Sequence, residues 1–323
     1  MKKWFVLSSI SEAIHFLYNN GPENFVVGIT HAGAFHADDV LATSLLMYKY
    51  DSNKIHRNFV IVRANCTEEE IYEFRNEFVG MEEYIIAYDV GKIYDPINNI
   101  FDHHQEKSPH DIDDGHKLSS VGQLWRDIYG TSDDPIEKFM YQYVKKVLIT
   151  PVDIQDNTGK NRNLFSDIVK DMNSQWDDDR ENNDCFYNAV YFASTALKTE
   201  IRKAKSIWFA RVHFIPDLKE MRPYDGGGAY IIDEDGVPPQ EVFKMKKAAY
   251  LVQPSTYEKG KWQLMARPGI GIGYSISETD GCTFIHQNRF LATYKTKEQA
   301  VAAAEANLYG KLQERLAKEN KGA

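Results

Sequence analysis

The sequence predicts an α/β fold in which helices flank a parallel sheet, followed by a second, smaller α+β domain. From Gly21 to about Ile154, short β-branched runs alternate with helically periodic segments, a pattern typical of parallel α/β architecture. These runs are almost continuously apolar, as expected for strands that helices cover on both faces. The predicted domains are residues 1–195 and 196–323.

The predicted elements of the first domain begin at the N-terminus. The segment MKKWFVLSSISEAIHFLYNN resembles a signal peptide, but polar residues interrupt its apolar run and no small-residue cleavage site follows. We therefore expect an ordinary N-terminal helix. The apolar runs predict strands at residues 25–30, 59–64, 84–88 and 99–101.

The predicted helices have recognisable ends. Thr67 and Glu70 form a capping box, and a helix that begins at Pro135 has apolar residues three and four apart until it ends near Pro151. Helical spacing at 186–210 connects the domains. In the second domain, the runs GGGAYII, AAYLVQPS, KWQLMARP and CTFIHQ predict a small sheet, closed by a helix that starts at Thr296.

Composition restricts the classes of function. A net charge of −9 and a pI near 5.6 exclude a global positive field that would attract polyanions or membranes. Three well-separated cysteines favour a reducing compartment, and no apolar run approaches the roughly 20 residues that span a bilayer. We expect a cytoplasmic protein without membrane association, in which any phosphate binding is local.

Imidazole and carboxyl side chains follow several of the predicted elements. Ligands of an open α/β sheet bind beyond the carboxyl ends of its strands, so these residues are expected at one edge. They are His31, His36 and Asp38 after the first run, Asp89 after the third, Asp102, His103 and His104 after the fourth, and Asp153 and Asp156 after the Pro135 helix.

This mixture of side chains suits a first-row transition metal. Asp89 could bridge two ions, and Asp38, Asp89 and one of Asp153 or Asp156 would set three negative charges against four positive ones, which leaves attraction for a phosphate. Simpler interpretations remain open at this point. Asp38 and Asp39 could only start a helix, and Asp89 could only form a turn.

In this order, GITHAGAFHADDVLA, YDVGKIYDP, FDHHQ, KLSSVG and VDIQDN resemble the DHH phosphoesterase superfamily. The motifs are most similar to those of the melanocyte-proliferating-gene exonuclease family, also labelled metal-dependent protein hydrolases. A weaker likeness extends through DMNSQW to the closing motif GCTFIHQNRF. The resemblance implies a DHH-type parallel sheet and a manganese-dependent nuclease that trims RNA or DNA from an end.

The resemblance also implies roles for individual residues. His31, His36, Asp38, Asp89 and His103 would be metal ligands, with His36 in place of a frequent aspartate and Asp89 as the bridge. Asp102 would orient its neighbours and His104 would face the scissile phosphate. Asp156 fits the fourth motif best, with Asp153 as the alternative ligand. Two manganese ions are favoured, and Fe, Co, Mg or Zn are alternatives.

Five residues are predicted to contact substrate. Arg63, Lys117, Ser119, Ser120 and His286 are the candidates. Arg63 follows a strand and could reach a phosphate or form a surface ion pair. Lys117 and the two serines precede a helix whose N-terminus could bind an anion, or they could only cap it. His286 could contact substrate or pack beneath the last helix.

The closing motif departs from the family where relatives have glycines after the histidine. Here the chain has Arg289, Ala292 and Thr293, and Tyr294 replaces a polar residue. Such bulk would narrow or reshape a ligand pocket.

The leading hypothesis is therefore a phosphodiesterase or 3′ to 5′ exonuclease that binds RNA, DNA or short oligonucleotides transiently, with a homodimer as one possible assembly. One alternative is a phosphohydrolase of small molecules such as dinucleotides or pyrophosphate, which suits the acidic charge. The other is a metal-stabilised binding protein without turnover.

Overall fold

A computed structural model describes residues 3–52, 57–105, 112–113, 115–177, 180–222, 227–234, 236–268 and 275–319. The chain divides into two compact units, Met1–Lys205 and Ser206–Ala323. The division falls within a long helix, Asn182–Phe209, later than the predicted boundary at 195/196. Within the described residues, no helix is both long and apolar enough to cross a membrane.

Among the residues that the structure describes, the first unit has eight strands and most of the helices. The strands are β1 (Trp4–Leu7), β2 (Phe25–Thr30), β3 (Asn58–Arg63), β4 (Ile85–Tyr88), β5 (Tyr94–Asp95), β6 (Ile100–Phe101), β7 (Ile112–Asp113) and β8 (His116–Lys117). The helices are α1 (Ile10–Asn20), α2 (Ala37–Ser52), α3 (Glu68–Glu77), α4 (Ser120–Tyr129), α5 (Pro135–Val144), α6 (Thr150–Thr158), α7 (Leu164–Asp171) and α8 (Asn182–Phe209).

The main sheet of this unit has the order β1-β3-β2-β4-β6-β5. All neighbouring strands are parallel except β5, which pairs antiparallel with β6. Side chains alternate between two buried clusters: Val26 and Ile61 face α2 and α4, whereas Val27 and Val60 face α1 and α3. Helices thus cover both faces, which confirms the predicted α/β class and explains the continuous apolar runs.

The N-terminal segment differs from the prediction of a single helix. Its apolar half, Trp4–Leu7, forms strand β1 and pairs in parallel with β3. The helix begins only after Ser9, whose hydroxyl accepts from the backbone N–H of Glu12. This arrangement buries the apolar run at the sheet edge, and the cap defines the start of the helix.

Helices α5 and α6 form one continuous helical path. The path was predicted to end near Pro151, but a π-helical turn at Lys145–Ile149 carries it on to Thr158. At the end of this π-helical turn, the backbone N–H of Thr150 donates to the carbonyl of Lys145. The wider turn accommodates a proline, which has no N–H to donate. Asp153 and Asp156 consequently lie on a helix rather than after one.

The second unit is the predicted α+β domain. Its elements are β9 (Glu220–Arg222), β10 (Ala229–Ile231), α9 (Pro239–Lys246), β11 (Tyr250–Pro254), β12 (Trp262–Ala266), β13 (Cys282–Ile285), β14 (Leu291–Tyr294) and α10 (Lys297–Glu319). The sheet order is β13-β14-β12-β11-β10-β9, antiparallel except for the β10–β11 pair. Ala292 and Tyr294 of the closing motif pack in the cluster that α10 covers.

Candidate metal centre

The candidate site lies where the order of the parallel sheet reverses. From β2 the chain passes to β3 on one side and then to β4 on the other side of β2. At such a switch point, the carboxyl ends of adjacent strands leave a crevice. His31 follows β2, Asp89 follows β4, and His103 follows β6 at the same edge. The structure therefore brings these three predicted residues together.

His31 is oriented by its own loop. Its Nδ1–H donates to the carbonyl oxygen of Ala32 at 2.9 Å. Because a carbonyl only accepts, Nδ1 keeps its proton, and Nε2 on the other side of the ring is the nitrogen available to a cation. This Nε2 lies 3.3 Å from a carboxylate oxygen of Asp39 and 3.3 Å from one of Asp89. The imidazole is thus held as a ligand histidine usually is, with one nitrogen fixed by the backbone.

His103 is held in the same way by a side chain from α6. Asn157 donates its Nδ2 to backbone carbonyls, so its Oδ1 accepts from Nδ1–H of His103 at 3.0 Å. The opposite Nε2 lies 3.2 Å from Asp156, 3.4 Å from Asp89 and 3.7 Å from Asp38. Three carboxylates therefore surround the free nitrogen of a buried imidazole.

Three groups of side chains could each hold a cation. Within each group, the ligand atoms lie within 4.8 Å of one another. The groups are His31, His36 and Asp89; Asp89, His103 and His104; and His36, Asp38 and Asp156. Asp89 belongs to two of them, as does His36. Such sharing is what a bridging ligand between neighbouring ions requires.

The chemistry of the donor atoms fits a metal. Several are buried and have no hydrogen-bond partner within the described part of the chain: Nε2 of His31 and His103, both carboxylate oxygens of Asp38, and Oδ2 of Asp39. Burying such polar and charged groups without compensation is costly. Divalent cations would compensate these groups together, and imidazole mixed with carboxylate suits first-row transition metals.

The pKa shifts show how strongly these groups interact. Burial, followed by the negative charges of Asp89 and Asp156, raises the pKa of Asp38 well above its usual range. Burial also acts to raise the pKa of Asp89, but contacts with His103 and His31 outweigh it and hold that pKa below its usual value. Asp89 is therefore ionised, as a bridging carboxylate must be.

Asp102 and His104 form a pair at the mouth of the site. Asp102 accepts from the backbone N–H and from Nδ1–H of His104, at 3.0 and 2.8 Å, and from the N–H of Lys92 at 2.7 Å. Burial opposes these contacts, but they lower the pKa of Asp102. The His104 side chain is 55% exposed, in contrast to the buried His103. Its Nε2 is on the side of the ring away from Asp102.

Asp153 has a different position from Asp156. Its Oδ1 accepts from the N–H and the hydroxyl of Ser119, at 3.0 and 2.7 Å, at the N-terminus of α4. A Cβ on Gly122 would lie 2.4 Å from that oxygen, so glycine permits the close approach. The predicted anion at this helix end is thus the chain's own carboxylate, whereas Asp156 joins the cation groups.

Three other predicted substrate contacts form hydrogen bonds within the chain. Ser120 donates to Asp89 at 3.3 Å, and the Lys117 ammonium donates to the carbonyl of His103. Arg63 is buried and donates to the carbonyl of Gly33 at 2.5 Å and to Asn183 at 3.1 Å. The structure therefore places these side chains where they hold the site together, and their contact with substrate stays a prediction.

A pocket of about 420 Å³ opens beside the ligand groups. Its lining includes His31, Asp89, Asp102, His104, Cys66 and Lys92. Burial, and then the charge of Glu70, raises the pKa of the Cys66 thiol to about 11, so Cys66 is neutral near pH 7. Lys92 is exposed and contributes a cation to the pocket.

The backbone below this pocket is strained. Asp89 and Lys92 have φ values of 57° and 56°, and Gly91 between them has φ 94°. A side chain at Gly91 would meet Cδ1 of Ile71 at 2.6 Å. Strain of this kind persists at functional sites when surrounding contacts enforce it. Here the turn directs the Asp89 carboxylate between two imidazoles.

The family model MYG1_exonuc, described as an uncharacterised protein family (UPF0160), matches residues 27–268. This segment contains every residue of the three ligand groups. The chain belongs to this MYG1 family. The order of motifs in the sequence had indicated the same family.

Known proteins show the same relationship at low identity. A MYG1 protein of Dictyostelium discoideum is 25% identical over 85% of this chain and 94% of its own. The MYG1 exonuclease of Bos taurus is 23% identical over 86% of this chain and 84% of its own. RecJ of Thermus thermophilus, solved with Mg²⁺, covers 93% of this chain and 51% of its own at 10% identity, with a TM-score of 0.26. That score supports no statement about this chain.

Some residues around the MYG1-family site were not predicted from the sequence. Asp39 is fully buried, accepts from the N–H of His36 at 2.9 Å, and directs its other oxygen to His31. It had been considered only as the start of a helix. Asn157, which orients His103, immediately follows Asp156 in the QDN motif. That adjacency is the signal that could have identified it.

Asn173 is the third of these residues. Its side chain forms two hydrogen bonds with the backbone of Phe35, each of 2.9 Å, one to the N–H and one to the carbonyl. The next residue is His36. Asn173 therefore fixes the loop that carries this shared ligand of the MYG1-family site.

We expect Asn173→Ala to weaken metal binding by about 10- to 100-fold, the usual effect of removing a partner that orients a ligand. Titration with Mn²⁺ under equilibrium dialysis measures it. Lys170→Ala, an exposed change on the neighbouring helix, is the control and should bind metal like the parent. Unchanged affinity in Asn173→Ala would show that the loop needs no such support.

Proposed function

We propose that this protein is a metal-dependent phosphodiesterase that removes nucleotides from an end of RNA, DNA or short oligonucleotides, in the 3′ to 5′ direction. Manganese is the favoured metal, with two ions per chain. Several relatives are named MYG1 exonuclease, which supports this reaction class. The proposal depends on the site, because the fold alone does not determine function.

One observation carries the proposal. Seven imidazole and carboxyl side chains from separate segments of the first unit converge in groups that share members: His31, His36, Asp38, Asp89, His103, His104 and Asp156. A structural metal site would be closed by four ligands. The number of donors here, together with a pocket at their side, instead favours two ions and access for a substrate.

When bound, divalent cations supply a water of lowered pKa and neutralise the oxygens of a phosphoryl group. The chain holds the donors for them. His31 and His103 present Nε2 because Ala32 and Asn157 accept the Nδ1 proton. Asp89 stays ionised between the two imidazoles, and Ser120 steadies its Oδ1. The donors are thus oriented before any substrate arrives.

His104 is the candidate for proton transfer. Asp102 accepts its Nδ1 proton, which fixes the ring and makes Nε2 the nitrogen available to a substrate at the pocket mouth. A protonated Nε2 could donate to the leaving oxygen, or hydrogen-bond a phosphate oxygen. Because the His104 side chain is half exposed, it can exchange that proton with solvent between turnovers.

A second candidate function is hydrolysis of small phosphorylated molecules such as dinucleotides or pyrophosphate. The net charge of −9 favours it, because long nucleic acids are attracted by basic tracks. The pocket volume of about 420 Å³ is also suited to a small ligand. The two candidates share the same metal chemistry and differ in the length of substrate.

The deciding experiment begins with protein purified without chelator. We expect two equivalents of Mn, Fe or Co by elemental analysis. Hydrolysis is then compared for end-labelled RNA and DNA, oligonucleotides of several lengths, a dinucleotide and pyrophosphate, each with Mn²⁺. A ladder of shortened products supports the exonuclease, and turnover of only the smallest substrates supports the second candidate. Tight metal binding without hydrolysis of any substrate would contradict both.

We further expect metal binding to release protons. Burial acts to lower the pKa of His31, but Asp39 and Asp89 raise it to about 11, so the metal-free protein holds a proton on His31 at neutral pH. Burial leaves Asp38 with a raised pKa as well. The proton on His31 must leave when a cation binds, so apparent metal affinity should rise as pH rises.

Calorimetric titration with Mn²⁺ in two buffers of different ionisation enthalpy measures this release. About one proton or more should appear per chain, and affinity should increase from about pH 6 to about pH 8. His15→Ala, an exposed change outside the three ligand groups, should release the same number. Binding that is independent of pH and buffer would contradict the ligand assignment of His31.

A further inference from the structure

The second unit contains a cavity of its own, of about 410 Å³. It is lined by Tyr257, Phe284, His286, Phe290, Leu291 and Thr293, with Glu258 at its edge. This volume lies within the roughly 300–1,000 Å³ typical of small-molecule sites. The lining residues all belong to the second unit, whereas the members of the metal groups all belong to the first.

Three aromatic side chains of this cavity are exposed. Tyr257 is 80%, Phe284 is 48% and Phe290 is 40% exposed. Single exposed apolar residues are common, but several around one concavity mark a binding site. Flat aromatic faces are suited to a flat partner. Nucleobases stack on such side chains in proteins that bind single strands, with little dependence on sequence.

His286 adds a directed hydrogen-bond donor. Its Nδ1 accepts from the backbone N–H of Asn288 at 3.1 Å, so Nε2 carries the proton. The ring lies 4.3 Å from that of Phe290. Within the residues that the structure describes, Nε2 has no hydrogen-bond partner. An acceptor on a bound molecule, such as a ring nitrogen or carbonyl of a base, would satisfy it.

The turn that carries these rings is well ordered by its own hydrogen bonds. The N–H of Arg289 donates to the carbonyl of His286 at 2.7 Å, and Arg289 itself has φ 54°. The carbonyl of Arg289 in turn accepts from the N–H of Ile276 at 2.8 Å. His286 and Phe290 are therefore positioned before a ligand binds, which reduces the ordering cost of binding.

The charges of the cavity favour a base over a phosphate. No lysine or arginine is among its lining residues, and its one ionised group, Glu258, is paired with Lys261. A phosphate would meet no lysine or arginine among the lining residues, and Lys261 beside Glu258 is already paired. A neutral, planar, acceptor-bearing ring meets aromatic faces and one N–H. The charges and the aromatic lining of the cavity therefore both favour a base over a phosphate.

We propose that the cavity of Tyr257, Phe284, His286 and Phe290 binds a nucleobase of single-stranded nucleic acid by stacking, with His286 Nε2–H donating to the base. The proposal rests on the proposed function, since it gives a nuclease a contact with the bases of its substrate. It makes base-containing strands the preferred substrate class, without selecting one base sequence.

The test uses fluorescence anisotropy of an end-labelled single-stranded hexamer with the full chain in chelator, where no hydrolysis occurs. The same hexamer with abasic residues is the comparison. Phe284→Ala and Tyr257→Ala should each weaken binding of the base-containing strand by about tenfold or more. Binding of the abasic strand should not change. Tyr309→Ala, which removes an exposed tyrosine on α10, is the matched control and should bind like the parent.

The outcomes separate this proposal from the catalytic one. Equal binding of the two strands by the parent chain, or no effect of either substitution, overturns the base cavity even if Mn²⁺-dependent hydrolysis is found. Concentration-dependent self-association lost in Phe284→Ala, without strand binding, would also overturn it and assign the cavity to a second copy. Tenfold weaker binding in both variants supports the cavity, and an absence of hydrolysis would then count against the proposed function alone.

Discussion

An Asp89→Asn variant should lose metal-dependent phosphodiesterase activity by more than the 10- to 100-fold expected for loss of an orienting partner. Asp89 belongs to two of the three ligand groups, so the change weakens both at once. An amide has no charge to balance two cations. The backbone should tolerate asparagine, because Asp89 has φ 57° and asparagine adopts that conformation readily. Activity and bound metal are measured on the same preparation.

Asp127→Asn provides the matched control for this change. It removes one exposed carboxylate from α4, outside the ligand groups, and should leave activity and metal content unaltered. Thermal unfolding in chelator should show a lower midpoint for Asp89→Asn than for the parent chain, because the variant removes the charge that pairs with His31 and His103. If Asp89→Asn kept two equivalents of metal and full activity, the bridging role would be wrong.

His103→Ala should have the second largest effect. Its Nε2 is surrounded by Asp38, Asp89 and Asp156, so the change removes the imidazole donor nearest to three carboxylates. The variant should therefore lose activity and at least part of its metal. The change removes one buried ring, so we expect a loss of about 1–3 kcal/mol in stability and a folded protein.

Circular dichroism and a thermal melt check that folding, and hydrolysis with Mn²⁺ checks the function. His15→Ala, on the exposed side of α1, removes the same group from a site without ligands and should behave like the parent. Parental rates in a well-folded His103→Ala protein would remove the mechanism proposed above.

The fold class and the edge of the sheet that carries the site were predictable because local patterns determine them. Buried parallel strands are almost continuously apolar, so β2, β3 and β4 were located to within a residue or two. Thr67 and Glu70 form the capping box that their spacing predicted. Residues that directly follow such strands must lie at one edge, and so His31, Asp89 and His103 were found together.

Other features depend on contacts that the sequence does not reveal. Asp153 and Asp156 are three residues apart and share one face of α6, so spacing did not distinguish them. Gly122 and the position of α4 decide that Asp153 meets Ser119. Arg63 was considered for substrate binding, but Asn183, far along the chain, and the rings of Phe35 and Phe186 enclose it. Strand β1 was not predicted, because it forms by pairing with β3 and the sequence alone does not reveal that partner.

The proposed donors come from the ends of β2, β4 and β6 and from the helices α2 and α6, so an unfolded chain would hold them far apart. Ions that bind only the assembled site add their binding energy to the stability of the native state. Cells short of the metal would then hold a molecule with excess buried negative charge that opens more often and is degraded sooner. The amount of this protein in the cell, and not only its catalytic rate, would then depend on the supply of the metal.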